Sequence, residues 1–166
     1  RSGPAFHHRN RRFPGFAAVP ALSLNRGFSA PVAIERQVAE DELVFLAAHD
    51  DDPFARYEAM QSLTVQYLMA EGGKGGSDAS RDAIGAALAA IIDDTALDDL
   101  MRGELMPLPG EAYLAEQMAQ ADPGLIHAGR EGLKAWLGRT LEERLLAVHA
   151  RASAVPYSLD AAARGA

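Results

Sequence analysis

Apolar residues recur every three to four positions from Val38 onward and show no such period before it. That change predicts a helical body behind a non-helical entry segment. Asp41 is placed to cap a first helix running to His49, with Leu43, Phe45 and Leu46 apolar and acidic residues at its positive end. Asp52-Pro53 predicts the next start, with Asp as N-cap and Pro at the first helical position, where a missing N–H costs nothing. Phe54, Tyr57, Met60, Leu63 and Tyr67 then form one stripe expected to be buried. Gly72 to Gly76 end that helix in a flexible loop.

Ser77 or Asp78 opens a third helix, with Ile84, Ala87, Leu88 and Ile91 on one face. Thr95 to Asp98 approximate a capping box ahead of a short helix to Met101. Pro107 and Pro109 break the chain, and a fifth helix is expected from about Gly110 to Met118. Asp122-Pro123 repeats the Asp-Pro start and leads a long helix to about Ala150, with Gly138 as its candidate dividing point. Its inward positions are Ile126, Leu133, Leu137, Leu141, Leu145 and Val148. Ser158 begins one more helix, which Gly165-Ala166 stop within about two turns, a marginal length in water.

Pro14, Pro20 and Pro31, with Gly15 and Gly27, exclude a helix over residues 13–34 and suit an extended segment or edge strand. Residues 1–12 carry four arginines and no apolar alternation, the pattern of a disordered leader. The organisation expected is a leader (1–12), an extended segment with linker (13–37) and a helical domain (38–166). The fold class is mainly α. Short-looped helix pairs suit an α-solenoid or an irregular bundle, and without an internal sequence repeat the period alone leaves both open.

The chain has 166 residues and a formal charge of −7, and excluding the arginines of the leader the remainder carries −11. This balance argues against a general nucleic-acid surface, which needs clustered Lys and Arg. No apolar run approaches the roughly 18 residues of a membrane span, so no membrane partner is expected. Cysteine is absent, which removes thiol catalysis and Cys-based zinc sites and fits a cytoplasmic location.

Candidate chemistry is thin. None of His7, His8, His49, His127 and His149 forms a pair at the i, i+3 or i, i+4 spacing that puts two metal ligands on one helix face. The aspartates after His49 are better explained by capping and the helix dipole than by a metal. Asp93-Asp94, Asp98-Asp99 and Glu142-Glu143 read as solvated faces. Gly72-Gly73-Lys74-Gly75-Gly76-Ser77 misses the spacing of a phosphate loop, and no serine has a nucleophile elbow. Trp136 and Tyr113 are read as packing residues. The expected inventory is no catalytic residue and no metal ligand.

Two strings carry more than their chemistry. Leu24-Asn25-Arg26-Gly27-Phe28-Ser29-Ala30-Pro31-Val32 and His49-Asp50-Asp51-Asp52-Pro53-Phe54-Ala55-Arg56-Tyr57-Glu58-Ala59 resemble the junction between a small β-sandwich and the C-terminal helical domain in bacterial aminopeptidase N, a zinc-dependent metallopeptidase family. Pro109-Gly110-Glu111-Ala112-Tyr113-Leu114-Ala115-Glu116-Gln117, then Asp122-Pro123 and Ile126-His127, resemble the same family further on, so the likeness spans roughly residues 13–166. The resemblance implies a superhelix of antiparallel helix pairs, cut at both ends, with residues 13–37 the tail of the sandwich. It implies a parent that removes N-terminal residues from peptides with a zinc-activated water, its helical domain covering the active site. The implied partners are peptide substrates and the rest of the parent chain. The family's H-E-x-x-H and G-A-M-E-N strings do not occur here, so no catalytic residue carries over. The residues marked by the resemblance are Arg26, Gly27, Phe28, Ser29, Ala30 and Pro31, with Asp52, Pro53, Phe54 and Arg56. A free-standing helical-repeat protein that binds a peptide or protein partner is the alternative.

Overall fold

Four polar side chains fix where the helices begin. In the computed structural model, which describes residues 21–29 and 38–153, α1 is Glu40–His49, α2 Pro53–Met69, α3 Asp78–Asp93 and α4 Asp99–Leu105. α5 is Glu111–Glu116, α6 Pro123–Thr140 and α7 Glu142–Ser153. The Asp52 carboxylate accepts from the Ala55 N–H at 2.8 Å, and Asp122 accepts from Leu125 at 3.0 Å. Ser77 accepts from Ser80 at 3.1 Å to start α3. Asp98 accepts from Met101 at 2.7 Å, so it is itself the cap of α4, which runs past Met101 to Leu105. Asp41 is not a cap: α1 starts two residues earlier, behind Ala39, and Asp41 accepts from its neighbour Glu42.

The described residues contain helices and two 3-10 turns and no strand. Residues 21–29, expected to be extended, hold a 3-10 turn at Arg26–Phe28, entered through Asn25 at φ 51° and bent at Gly27 at φ 60°. These left-handed positions cannot sit in a strand, and Gly27 adopts its own at no steric cost. The expected leader and the helix after Ser158 lie outside the described residues.

α1 packs on α2 and α3, α2 also meets α4 and α6, α5 lies on α6, and α7 closes against α3 and α6. Ile84, Ala87, Leu88 and Ile91 of α3 are buried as the period demands, as are Ile126, Leu133, Leu137 and Leu141. The stripe on α2 is rotated from its expected place. Met60 and Leu63 are buried, but beside Ala55, Arg56, Ala59, Thr64 and Leu68, while Tyr57 is 37% exposed. Small residues let α1 approach at the centre of this face, and the bulky rings flank it. Phe45 is exposed and lies tilted against His49, with ring centroids 5.1 Å apart. The long last helix divides at Leu141 (φ −107°, ψ 12°) and not at Gly138, because burying Leu141 turns the chain there.

The Gly72–Gly76 loop lies against the helical body. Gly73 (φ 98°) is buried, and a Cβ there would come within 3.1 Å of Leu125. On α3, a Cβ at Gly85 would fall 2.9 Å from the ring of Trp136, which also lies 4.7 Å from the Arg81 guanidinium. The missing side chain is the slot that seats Trp136.

The core also holds charge. Arg56, on α2, donates from Nε to the Ala47 carbonyl at 3.2 Å and from Nη1 to the Asp94 carboxylate at 2.6 Å. Asp94, just past α3, accepts from the Ala96 N–H at 2.9 Å through its other oxygen. Arg102, on α4, donates to the carbonyls of Asp94 (2.7 Å) and Leu97 (2.9 Å) and pairs with Asp99. One chain of contacts thus joins α1, α2, α3 and α4. The Arg56 guanidinium holds the Asp94 carboxyl below its ordinary range, helped by the Ala96 N–H.

Three outcomes are expected. Removing one partner of a buried pair costs about 3 kcal/mol, so Arg56→Leu should lower the melting temperature by about 6–12 °C, and adding Asp94→Leu should restore part of it. Urea denaturation of the single and double variants checks this. Because the folded-state carboxyl of Asp94 titrates below its unfolded value, its stabilisation is complete above about pH 4 and is lost as pH falls through the lowered value. The gap between wild type and Asp94→Asn should therefore close on acidification. Gly85→Leu should cost about 1–3 kcal/mol by overpacking and shift the emission of Trp136 to the red. It is the single tryptophan, so fluorescence reports that site alone.

Candidate functional site

The two strings meet in space, through residues 24 and 25 positions apart. α1 ends at His49, and the three aspartates that follow present their carboxylates to the 3-10 turn. Arg26 Nη1 donates to Asp50 Oδ1 at 2.9 Å, and Nη2 to Asp51 Oδ1 at 2.5 Å. The Gly27 N–H donates to Asp52 Oδ2 at 2.8 Å, while Oδ1 of the same carboxylate caps α2. Asp50 Oδ1 also accepts from the Asp52 N–H at 2.9 Å. Each aspartate therefore has a separate task. Asp50 is sunk in the protein with a side chain 2% exposed, whereas that of Asp51 is 87% exposed.

The charges respond to one another. The hydrogen bond to Asp51 raises the Arg26 pKa, and the same bond, with the field of the guanidinium, lowers that of Asp51. Both remain ionised across the physiological range.

Of the residues marked in the sequence, Gly27 and Asp52 are in direct contact, Arg26 holds Asp50 and Asp51, and Ser29 closes the turn by donating its N–H to the Arg26 carbonyl at 3.2 Å. Phe28 lies in the same turn, and Pro53 and Phe54 open α2. Arg56 belongs to the other network, one turn further along α2 and facing Asp94. Ala30 and Pro31 lie outside the described residues. Sequence reasoning missed Asp50, Asp51, Asp94 and Arg102. A run of aspartates at a helix start satisfies the dipole whatever else it touches, so nothing local singles out the ones that bind arginine.

The remaining candidates are structural in their placement. His127 Nδ1 is 2.8 Å from Glu111 on an exposed surface, and His149 is within 3.5 Å of the Ser153 hydroxyl. Asp93-Asp94 and Asp98-Asp99 are more than a solvated face, whereas Glu142-Glu143 is exposed. Asp93 accepts from Arg144 of α7 at 2.9 Å, Asp94 from Arg56, and Asp99 from Arg102 and Arg151. Among the described residues, no three His, Asp or Glu side chains are grouped so as to hold a metal ion. The same residues contain no helix long and apolar enough to cross a membrane. What the arrangement does is hold segments together, with charge on both sides.

Residues 40–166 match a family described as a domain of unknown function (DUF3458_C) with ARM repeats. Over 155 residues the chain is 30% identical to the aminopeptidase N of Caulobacter vibrioides, covering 93% of this chain and 18% of that one. It is 32% identical over 137 residues to the aminopeptidase N of Escherichia coli, 81% of this chain and 16% of that protein. A crystal structure of Legionella pneumophila aminopeptidase A in complex with aspartic acid shares the fold, with a TM-score of 0.65 at 24% identity over 82% of this chain and 16% of its own. The chain therefore spans under a fifth of the curated relatives it matches. ARM repeats stack helices into a superhelix, which decides between the two helical architectures left open by the period. By this match the chain belongs to the ARM-repeat family DUF3458_C, related to the C-terminal helical domain of bacterial aminopeptidase N.

Proposed function

We propose that the chain works as a non-catalytic part of a zinc-dependent, cytoplasmic aminopeptidase that removes N-terminal residues from peptides, its helices covering the active site. The observation that carries this reading is the similarity to aminopeptidase N along 93% of the chain, together with signature strings that meet in the folded molecule. The side chains agree with a non-catalytic part. Every charged group at the meeting point is committed to a partner of opposite charge or to a backbone N–H. The donor groups of the described residues do not fit a catalytic zinc, which takes about three protein ligands held at fixed geometry. In this reading the zinc and its water-activating Glu are carried elsewhere in the parent, and Arg26 to Pro31, Asp52, Pro53, Phe54 and Arg56 are architectural residues. Residue 38 starts the helical domain, and the segment before it belongs to the neighbouring sandwich.

Purified protein incubated with zinc and an aminoacyl reporter should show no turnover and far less than one zinc per chain. Chelator-sensitive turnover with about one bound zinc overturns the non-catalytic assignment. The covering role has its own readout. In an intact aminopeptidase carrying this segment, binding of a peptide-mimic inhibitor should slow hydrogen exchange in at least one of the helices corresponding to α1–α7. Exchange unchanged throughout would remove the covering role and leave the kinship intact.

A further inference from the structure

We propose that residues 22–29 form an electrostatic strap with a latched and an unlatched state, and that Arg26 is its latch. The inference stands on contacts within the chain and does not depend on the aminopeptidase reading. The strap runs lengthwise along α1. At one end the Leu22 N–H donates to Glu42 Oε1 at 2.8 Å, in the first turn of that helix. At the other end Arg26 and Gly27 reach Asp50, Asp51 and Asp52 beyond its last turn. The lengths are compatible: four residues span at most about 13 Å, and the eight residues from Glu42 to Asp50 rise about 12 Å.

The described contacts that fasten the strap to the helical body are charge-assisted. None of its residues with a described exposure is buried, and Leu24 is 42% exposed. The anchors on the helical body are four carboxylates, reached by two backbone N–H groups and one guanidinium. Charge-assisted hydrogen bonds of this kind are short and strong, but at an exposed site they are screened by salt. The strap is also tied to the body's own order. Asp52 holds Gly27 with one oxygen and the start of α2 with the other. Asp50 is buried, and its Oδ2 has no hydrogen-bond partner, so Arg26 supplies its counter-charge. Releasing Arg26 leaves that carboxylate to water, which favours the latched state without locking it.

The consequence is a joint. Latched, residues 22–24 lie along α1; unlatched, they pivot at Asn25 and Gly27, whose left-handed conformations are the bends that lay the strap down.

Amide hydrogen exchange of the full chain by NMR tests this, because the Gly27 N–H is itself part of the latch. In wild type at about 0.1 M salt that amide should be protected. Raising sodium chloride to about 1 M, where the Debye length is about 3 Å, should speed its exchange about tenfold. Arg26→Gln should do the same at low salt, and so should Asp51→Asn, a fully exposed change that spares the fold. In every case the amides of Leu133 and Leu137 in α6 should keep their wild-type rates. Gly27 exchange that is fast in wild type, or insensitive to salt and to both variants, overturns the latch. An equal acceleration in α6 also overturns it, since Arg26 would then be a general stabiliser.

Discussion

A single guanidinium sits where four helices converge. Arg56 is buried on α2, takes the Ala47 carbonyl in the last turn of α1 and holds the carboxylate that follows α3, whose backbone in turn receives Arg102 from α4. Burying an arginine is costly unless its donors are used, and a pair of this kind is weak ground for high stability. Its value is geometric. The fork of the guanidinium accepts only one arrangement of the Ala47 carbonyl and Asp94, so the first four helices are held in one register. The apolar residues around it, Leu43, Ala47, Ala59 and Ile91 among them, supply the driving force without supplying direction.

The same device recurs at the periphery with less burial. Arg144 and Arg151 of α7 reach back to Asp93 and Asp99, both half exposed. α7 has no buried residue of its own, and only Leu145 and Val148 pack on the core, behind the buried Leu141. Few apolar contacts and solvent-exposed ion pairs place a helix at the low-stability end of a fold. In an ARM-type stack each helix pair relies on its neighbours for cover, and among the described residues α7 takes its cover from α3 and α6.

In the proposed reading, the residues marked by the resemblance need not touch the parent's chemistry. Gly27 meets Asp52 where a backbone turn is received by the cap of a helix. Function in such a protein resides in a site carried on the fold, and these residues set where the fold places its parts.

Much of the helical body was legible in the sequence, because its signals are local. Asp52-Pro53 and Asp122-Pro123 mark helix starts through bonds made within one turn, and the three- and four-residue spacing on α3 and α6 depends only on the pitch of a helix. The strings around Arg26 and Asp52 were legible as kinship. Three things required the tertiary structure. The rotation of the buried face of α2 depends on how closely α1 approaches its alanines, and the break at Leu141 on which side of the long helix finds a core. The pairing of Arg26 with Asp50 and Asp51, and of Arg56 with Asp94, joins residues 24, 25 and 38 positions apart. Local pattern fixes the conformation of each helix; which charge meets which is decided only when the packed helices bring them within reach.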